Sequence, residues 1–437
     1  MKYHSEAKKE IPVVHEVEVL VVGGGPAGFA AAVSSARLGA QTLLVENNGA
    51  VGGIATSGLM SHWTGATEGP MYSELLHRSK DTDKDWNYFG DKVLHGERII
   101  HPEKLKLEML NMLEEAGAEV QLYTLAADVI KEENQVRGII TESKSGREAI
   151  YAKIVIDATG DGDVAYKAGA DYVKGREHDG KMQPVSIMFK VGGVDFDRAV
   201  FPGEFEDDFQ VEGRSIQALA KQQLPHPIGH VLLYPSSMPG IVSVNMTNSI
   251  DVDATNVRDI SRGEHECRKQ IPLIVDFLRT YIPGYEECFL VITSSLLGVR
   301  ETRHFVGLYT LTAEDIQAAR LFDDWIVTRA YFNFDVHNMS GSGMDETGVQ
   351  KDFKQSAKYS IPLGCFIPEK LNGLLLAGRN ISGTHLAHSN YRAMPTCINM
   401  GQGVGTVAAQ SLQEKVEPRD VDIRKVQQLL MNQGVQV

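Results

Sequence analysis

Three glycines near the start of the chain have the spacing of a phosphate-binding turn. The pattern is Gly-x-Gly-x-x-Gly, and its residues are Gly23, Gly25, Pro26, Ala27 and Gly28. An apolar stretch, Val17–Val22, precedes the turn, and an alanine-rich stretch follows it. A second apolar stretch then ends on an acid, Glu46. This order predicts a β-α-β unit that binds an ADP-containing dinucleotide.

Each residue type in this unit has a physical reason. Gly23 permits the tight turn, Gly25 lets the backbone approach a pyrophosphate, and Gly28 lets the helix pack closely on the strand. The helix N-terminus offers free N–H groups and a positive dipole end to the phosphates. Glu46 can accept hydrogen bonds from ribose hydroxyls, and its charge disfavours the 2′-phosphate of NADP. The alternative is a glycine-rich turn in an ordinary α/β sheet.

Later segments favour FAD over NAD. A second glycine turn follows Glu46 directly, and two further apolar stretches, Ile154–Asp157 and Leu374–Leu376, end in small-residue turns. A helix predicted over Pro395–Leu412 would point its N-terminus at the flavin ring. We predict non-covalent FAD, bound by the glycine turn and by Glu46, Gly53, Ala158, Gly160, Asp161, Gly378, Arg379, Gly401 and Gly403. Covalent attachment at His62 is the weaker alternative.

Three polar segments could supply acid–base and oxyanion chemistry beside a flavin: Leu297–His304, Asp335–Asn338 and His385–Arg392. Histidine can accept the proton that accompanies hydride transfer, and arginine can hold an oxyanion. The candidate catalytic residues are His385, His388, Arg392, Arg300 and His337. The alternatives are an Arg–Glu structural pair at strand spacing in the first segment, a hydrogen-bonded loop histidine in the second, and an Arg392 that holds FAD phosphate or its own loop.

These segments together resemble a known family. The chain is similar to FAD-dependent oxidoreductases with a succinate dehydrogenase or fumarate reductase-like flavin domain, and within them to a bacterial family whose members sometimes carry the label xanthan lyase. The matching stretches are Val21–Gly28, Gly52–Thr56, Asp157–Asp163, Leu297–Arg303, Ala377–Ser382, Arg392–Cys397 and Gly401–Gly403. The resemblance implies fold and cofactor, and it implies that the segment before the last helix crosses the flavin. His304 and Arg379 depart from the family's pattern.

Composition excludes several other classes. The chain has 437 residues and a formal net charge of −14, which argues against a nucleic-acid partner. It contains no run of about 18 apolar residues, so no membrane span is expected, and its polar N-terminus favours a cytoplasmic location. Its four cysteines form no C-x-x-C pair, so we expect no metal site and no flavin-coupled disulfide.

The predicted fold class is α/β. We expect a Rossmann-like FAD-binding domain with a β-meander over residues 1–173 and 356–437, and an inserted α+β substrate domain over residues 174–355. A second dinucleotide fingerprint is absent from the sequence, so the redox partner must visit the flavin directly. The predicted function is hydride transfer between flavin N5 and a small polar metabolite, for example a carbohydrate-derived hydroxy or keto compound. The alternative is an electron-transfer subunit that acts with a partner protein; a homo-oligomer also stays open.

Overall fold

A computed structural model describes residues 2–4, 9–60, 62–79, 98–205, 207, 209–345, 355 and 357–437. The strands are β1 (Val13–Val22), β2 (Thr42–Val45), β3 (His62–Trp63), β4 (Arg98–Ile99), β5 (Glu119–Gln121), β6 (Leu125–Glu132), β7 (Gln135–Ser143), β8 (Gly146–Asp157), β9 (Tyr172–Lys174), β10 (Phe189–Gly192), β11 (Gln210–Val211), β12 (Arg214–Ser215), β13 (Leu233–Pro235), β14 (Val242–Val244), β15 (Phe289–Thr293), β16 (Arg303–Phe305), β17 (Trp325–Ala330), β18 (Tyr359–Pro362) and β19 (Leu374–Leu376).

The α-helices are α1 (Pro26–Arg37), α2 (Pro70–Arg78), α3 (Pro102–Ala116), α4 (Asp163–Ala168), α5 (Ile216–Gln223), α6 (Val257–Tyr281), α7 (Ala313–Gln317), α8 (His385–Tyr391), α9 (Met394–Glu414) and α10 (Ile423–Asn432). Where the chain is described, none of them combines the length and the apolar character of a membrane-crossing segment.

The largest sheet has the order β5-β2-β1-β8-β7-β6, with β19 beside the carboxyl end of β8. Strands β1, β2, β5, β8 and β19 run parallel, while β6, β7 and the first half of β8 form an antiparallel meander. Val22 lies opposite both Val45 and Asp157, so three strands end at one edge. Ligands of open α/β sheets bind at such an edge. The predicted Rossmann-like fold with its meander is confirmed.

Helices α1 and α9 lie side by side on this sheet and run in the same direction. A Cβ on Gly401 would meet the carbonyl oxygen of Ala27 at 2.1 Å, and one on Gly405 would meet that of Ala31 at 2.4 Å. Glycine is therefore required for the close approach of the two helices. Because α9 begins seven residues before Gly401, its N-terminus reaches about 10 Å beyond this contact, toward the carboxyl edge of the sheet.

A second, antiparallel sheet has the order β13-β14-β10-β15. Its buried side chains form a separate apolar cluster between Ile187 and Cys288, packed against α5 and α6. Residues from Phe305 to Phe334 instead belong to the apolar cluster of the large sheet. The division at residues 173, 174, 355 and 356 stays a prediction, and residues 346–354 and 356 lie outside the described part of the chain.

Candidate active site

The glycine turn lies between β1 and α1 and leaves room for a ligand. Gly23 has a φ of +98°, and a Cβ there would meet the Ala158 carbonyl oxygen at 2.4 Å. A Cβ on Gly28 would meet the Gly23 carbonyl oxygen at 1.8 Å, whereas a Cβ on Gly25 would meet nothing within 4 Å. The N-cap residue of α1 is Gly25, so no side chain caps the N–H groups of the first turn of this helix. The backbone beside Gly25 and the first-turn N–H groups therefore suit a pyrophosphate.

Glu46 lies at the end of β2 and is buried. Its Oε2 atom accepts a hydrogen bond from the Gly24 N–H at 2.6 Å. Its Oε1 atom accepts from the backbone and side-chain N–H groups of Asn48 at 2.7 and 2.6 Å. The carboxylate thus fixes the glycine turn, and its remaining acceptor capacity can serve ribose hydroxyls.

The turn after β8 is held by charged side chains. Asp161 Oδ1 accepts from Arg379 Nη2 and from Thr302 Oγ1, both at 2.7 Å. A Cβ on Gly160 would meet the Arg379 guanidinium at 2.6 Å. Arg379 therefore joins the turn after β19 to the turn after β8. A cofactor contact from either side chain stays a prediction.

The other predicted cofactor residues lie at the same edge of the sheet or in the helices behind it. Gly53 lies against the glycine turn, because a Cβ on Gly53 would be 3.4 Å from the Gly25 Cα. Gly378 has a φ of +96° and faces Ala27. Gly403 packs against the Ile326 carbonyl, as Gly401 packs against α1. The structure thus gives Gly401 and Gly403 packing roles, and their contact with FAD stays a prediction.

A buried hydrogen-bonded cluster lies beside the N-terminus of α9. Glu301 Oε1 is 2.9 Å from His304 Nε2 and 2.6 Å from His385 Nδ1. Glu301 Oε2 accepts from the Gln183 N–H at 3.1 Å. His388 packs edge-on against His304, with ring centroids 4.6 Å apart. Two of the predicted catalytic histidines are therefore brought together around one carboxylate.

A second polar group contains the other three candidates. Arg392 donates to Asp335 Oδ2 at 2.7 Å and to the Asp335 carbonyl at 2.9 Å. His337 Nε2 lies 3.4 Å from Asp335 Oδ1. Gln183 Oε1 accepts from the His337 N–H at 3.1 Å and from Arg392 at 3.4 Å, so it joins this group to the Glu301 cluster. Arg300 donates to the Pro184 carbonyl at 2.7 Å.

The comparison with protein families decides the family. A family model described as FAD dependent oxidoreductase matches residues 18–430 of this chain. The chain belongs to that family. The protein is therefore an oxidoreductase with FAD as its cofactor, and the open backbone at Gly25 with the uncapped start of α1 fits the pyrophosphate of that cofactor.

Individual relatives of this oxidoreductase share parts of the chain. Thiamine thiazole synthase from Methanococcus vannielii is 31% identical over 157 residues, covering 33% of this chain and 56% of that protein. Digeranylgeranylglycerophospholipid reductase 2 from Methanothermobacter thermautotrophicus is 26% identical over 213 residues, covering 45% and 52%. The chain thus spans about half the length of the curated relatives it matches.

Two solved structures show the fold. A geranylgeranyl bacteriochlorophyll reductase-like protein from Thermoplasma acidophilum has a TM-score of 0.51 at 15% identity, with 96% of this chain and 84% of that chain covered. The p-nitrophenol 4-monooxygenase from Pseudomonas putida has a TM-score of 0.50 at 11% identity, with 92% and 82% covered.

Burial and charge set the protonation states in the site of this oxidoreductase. Burial acts to raise the pKa of Glu301, but hydrogen bonds from His304 and His385 outweigh it and hold that pKa well below its usual range. Burial also opposes ionisation of Asp335, yet His337 and Arg392 lower its pKa overall. Both acids are therefore carboxylates near neutral pH.

The pKa values of two histidines and of Arg300 are also lowered, which for these groups favours the neutral form. Burial, reinforced by His304, holds the pKa of His388 well below its usual value. Burial and then Arg300 lower the pKa of His337 to about 4. Burial and then Arg392 lower the pKa of Arg300 to about 10, so Arg300 stays charged at neutral pH. The site thus holds two neutral histidines close to permanent cations.

Most of the segment Leu297–His304 does not have the strand spacing that was considered for it. Only Arg303–Phe305 is a strand, so residues 300–302 do not alternate between two faces. The alternative of an Arg–Glu pair within this segment is not observed: Arg303 pairs with Asp163 at 2.9 Å, and Glu301 pairs with His304 and His385. The reason is tertiary, because α8 brings His385 to Glu301 from 84 positions away.

Sequence reasoning missed Gln183 and Lys190, and it missed the contacts of two residues that it named, Asp335 and His62. Gln183 joins the two groups, and a lone glutamine carries no sequence signal. Asp335 lies in a predicted polar segment, but its pairing with Arg392 was not predicted. His62 on β3 stacks on Tyr234 of β13, with ring centroids 3.4 Å apart. Burial, and then the charge of Lys190, lower the pKa of His62 to about 3. Burial lowers the pKa of Lys190 to about 8.

Glu301, His304 and His388 also place potential metal ligands within 4.8 Å of one another. The Glu301 oxygen is already shared by two imidazoles, and the Arg392 charge acts on His388. A divalent cation there would break the hydrogen bonds and meet a nearby positive charge. We therefore interpret the group as a hydrogen-bonded cluster.

Proposed function

We propose that this enzyme transfers hydride between flavin N5 and a small polar metabolite that carries a carboxylate or another oxyanion. The observation that carries the proposal is the convergence of Arg300, Arg392, His385 and His388 beside the start of α9. A carbohydrate-derived hydroxy or keto acid has the required functional groups. The narrower likeness to succinate dehydrogenase-type flavin domains and a bacterial origin stay predictions.

The arginines bind and orient the substrate. Arg392 is held by Asp335 through one side of its guanidinium, and its Nε atom lies buried without a hydrogen-bond partner. A buried donor without a partner is costly, and a substrate oxygen would satisfy it. Arg300 adds a second charge, so two cations favour an anionic group over a neutral one.

The histidines move the proton. When bound, FAD supplies the N5 position that accepts or returns the hydride. Oxidation of a hydroxyl also releases the proton of that hydroxyl, which a base must take. Glu301 fixes the Nδ1–H tautomer of His385 through the 2.6 Å hydrogen bond, so the Nε2 atom of His385 carries the lone pair that accepts this proton. In the reduction direction, the same atom returns it.

Anaerobic bleaching of the flavin tests the proposal. The holoenzyme is mixed with a panel of hydroxy acids, sugar acids and neutral alcohols, and loss of the oxidised flavin absorbance is followed. We expect reduction by an anionic member of the panel and none by its neutral amide or ester. Reduction only by uncharged or apolar compounds would refute the proposed substrate class.

Two variants test the residues. Arg392→Met and His385→Gln should keep their flavin, while flavin reduction by the best substrate slows by about 10²-fold or more, the usual size of one acid–base or oxyanion contact. Arg214→Met and His178→Asn are matched controls at exposed positions, and they should reduce at the wild-type rate. If the flavin of both site variants is reduced at the wild-type rate, His385 and Arg392 have no part in the mechanism.

Turnover of the single chain with an artificial electron acceptor addresses the alternative function. A substrate-reducible enzyme should turn over alone. A chain whose flavin is reduced only when a partner protein is added would instead be an electron-transfer subunit.

A further inference from the structure

A buried, uncharged histidine of the second sheet lies next to His337 of the candidate site. This residue, His230, is 4% exposed. Phe205 packs edge-on against the rings of both His230 and His337, with ring centroids 5.3 and 5.1 Å apart. Burial, followed by the nearby His337 and Arg300, lowers the pKa of His230 to about 3, so its ring is neutral near neutral pH. His230 therefore adds a neutral hydrogen-bonding group beside the cations of the site.

One hydrogen bond fixes the tautomer of His230. Its Nε2 atom lies 3.1 Å from the Asn245 carbonyl oxygen, which can only accept. The neutral ring therefore carries its proton on Nε2 and a lone pair on Nδ1. Within the described part of the chain, the Nδ1 atom is buried without a hydrogen-bond partner, and so is the Oδ1 atom of Asn245. A buried acceptor without a partner is costly, so both atoms would be stabilised by a ligand that donates.

Gln183 adds a donor to these two acceptors. Its Oε1 atom accepts from the His337 N–H and from Arg392, which identifies the other end of the side chain as the NH₂ group. Gln183 is 1% exposed, and its Nε2 atom has no partner among the residues that the structure describes. The neighbourhood of His337 thus combines buried acceptors and a buried donor whose hydrogen bonds are unmade.

We propose that His230, Asn245 and Gln183 form a subsite for substrate hydroxyl groups, next to the arginines that hold the substrate anion. A hydroxyl group donates and accepts, so it can satisfy both kinds of buried atom, whereas a carboxylate would only oppose its lone pairs to those of His230 and Asn245. The subsite rests on the proposed function and narrows its substrate class. The preferred acid carries hydroxyl groups besides the one that is oxidised, because an analogue without them leaves buried groups unpaired.

Three acids of equal charge test this subsite. Lactate, glycerate and threonate carry one, two and three hydroxyl groups, and their dissociation constants are measured from the change in the flavin spectrum of the oxidised holoenzyme under anaerobic conditions. We expect the wild type to bind threonate at least about tenfold more tightly than lactate. His230→Phe should bind both acids alike. His230→Gln, which can donate to the Asn245 carbonyl and still accept from a hydroxyl, should keep most of the preference.

Two further variants make the ratio of the two affinities decisive. Gln183→Met removes the unused donor at similar side-chain length, so it should lower the threonate-to-lactate ratio even if His230→Phe does not fold. His265→Phe, at an exposed position of α6, is the matched control and should keep the wild-type ratio. Equal binding of lactate and threonate by the wild type would overturn the subsite. A wild-type ratio in folded His230→Phe, or in Gln183→Met, would also overturn it.

A failure of the subsite is distinguishable from a failure of the proposed function. Arg392→Met should weaken all three acids by the same factor, because they share one carboxylate. If the acids bind equally to the wild type and all depend on Arg392, the anion site stands and the hydroxyl subsite is wrong. If the neutral polyol erythritol binds to the wild type but not to His230→Phe, while no acid binds, the subsite stands and the anionic substrate is wrong. Absence of binding by all four compounds would overturn both.

Discussion

Gly25 and Gly28 lie three positions apart in the same turn, yet the structure assigns them different tasks. Alanine at Gly28 would place its Cβ 1.8 Å from the Gly23 carbonyl oxygen and 3.0 Å from the Ala158 Cβ. A carbon–oxygen contact needs about 3.3 Å, so α1 would have to withdraw by about 1.5 Å. Such a shift of α1 would also disturb its close contact with α9 at Gly401.

The two substitutions should therefore separate folding from cofactor binding. Overpacking of this kind costs about 1–3 kcal/mol, so Gly28→Ala should lower the melting temperature of the FAD-free protein by several degrees. Gly25 has a φ of −65°, which alanine adopts without strain, and open space surrounds it. Gly25→Ala should change the free energy of unfolding by less than about 1 kcal/mol but weaken FAD binding at least tenfold, about 1.4 kcal/mol.

Thermal unfolding of FAD-stripped protein and titration with FAD, followed by flavin fluorescence, measure both quantities. Melting must be recorded without FAD, because ligand binding raises the apparent stability of the folded state. The reasoning fails if Gly28→Ala melts like the wild type, or if Gly25→Ala binds FAD with wild-type affinity. Gly117→Ala, an exposed turn glycine with nothing near its Cβ but a φ of +80°, controls for backbone strain alone.

Three further predictions concern the cofactor and the buried titratable groups. Glu46→Ala should lower FAD affinity by one to several decades and destabilise the FAD-free protein, because each charge-assisted hydrogen bond contributes about 1.5–3 kcal/mol. Calorimetry of the FAD-free and FAD-bound proteins measures both effects. Precipitation of denatured protein should release all flavin into the supernatant, whereas flavin in the pellet would indicate a covalent link. His62 has a pKa of about 3 in the fold and about 6.5 when unfolded, so its contribution to stability is complete above pH 6.5 and is lost as the pH falls toward 3. His62→Phe should recover about 2 kcal/mol at pH 5 relative to the wild type, and equal acid sensitivity of both proteins in urea titrations would contradict this.

The sequence predicted the parts of the fold that depend on local pattern. The glycine turn and the glycine-bearing helix near the C-terminus both follow from spacing within about 20 residues. The helix predicted over Pro395–Leu412 is observed as α9 over Met394–Glu414. Glycine contacts could not be assigned in this way, because the packing of Gly401 on α1 depends on a residue 374 positions earlier.

The candidate site was predictable in its members but not in its pairings. Histidine and arginine in three short segments pointed to acid–base chemistry, yet which carboxylate meets which cation is decided by tertiary structure. A pair between Glu301 and a neighbouring arginine was the structural alternative, and Glu301 instead accepts hydrogen bonds from His304 and His385. Gln183 joins the two groups, and nothing in its sequence context distinguishes it from a surface glutamine.

The contact between α1 and α9 has a consequence for how the protein is made. Ser34 donates to the Gln402 carbonyl across 368 positions, so the helices behind the glycine turn come from both ends of the chain. During vectorial synthesis the first β-α-β unit emerges long before its partner helix, and it waits with its small-residue face exposed to solvent. We therefore expect FAD capture to be a late event in biogenesis that follows the synthesis of α9.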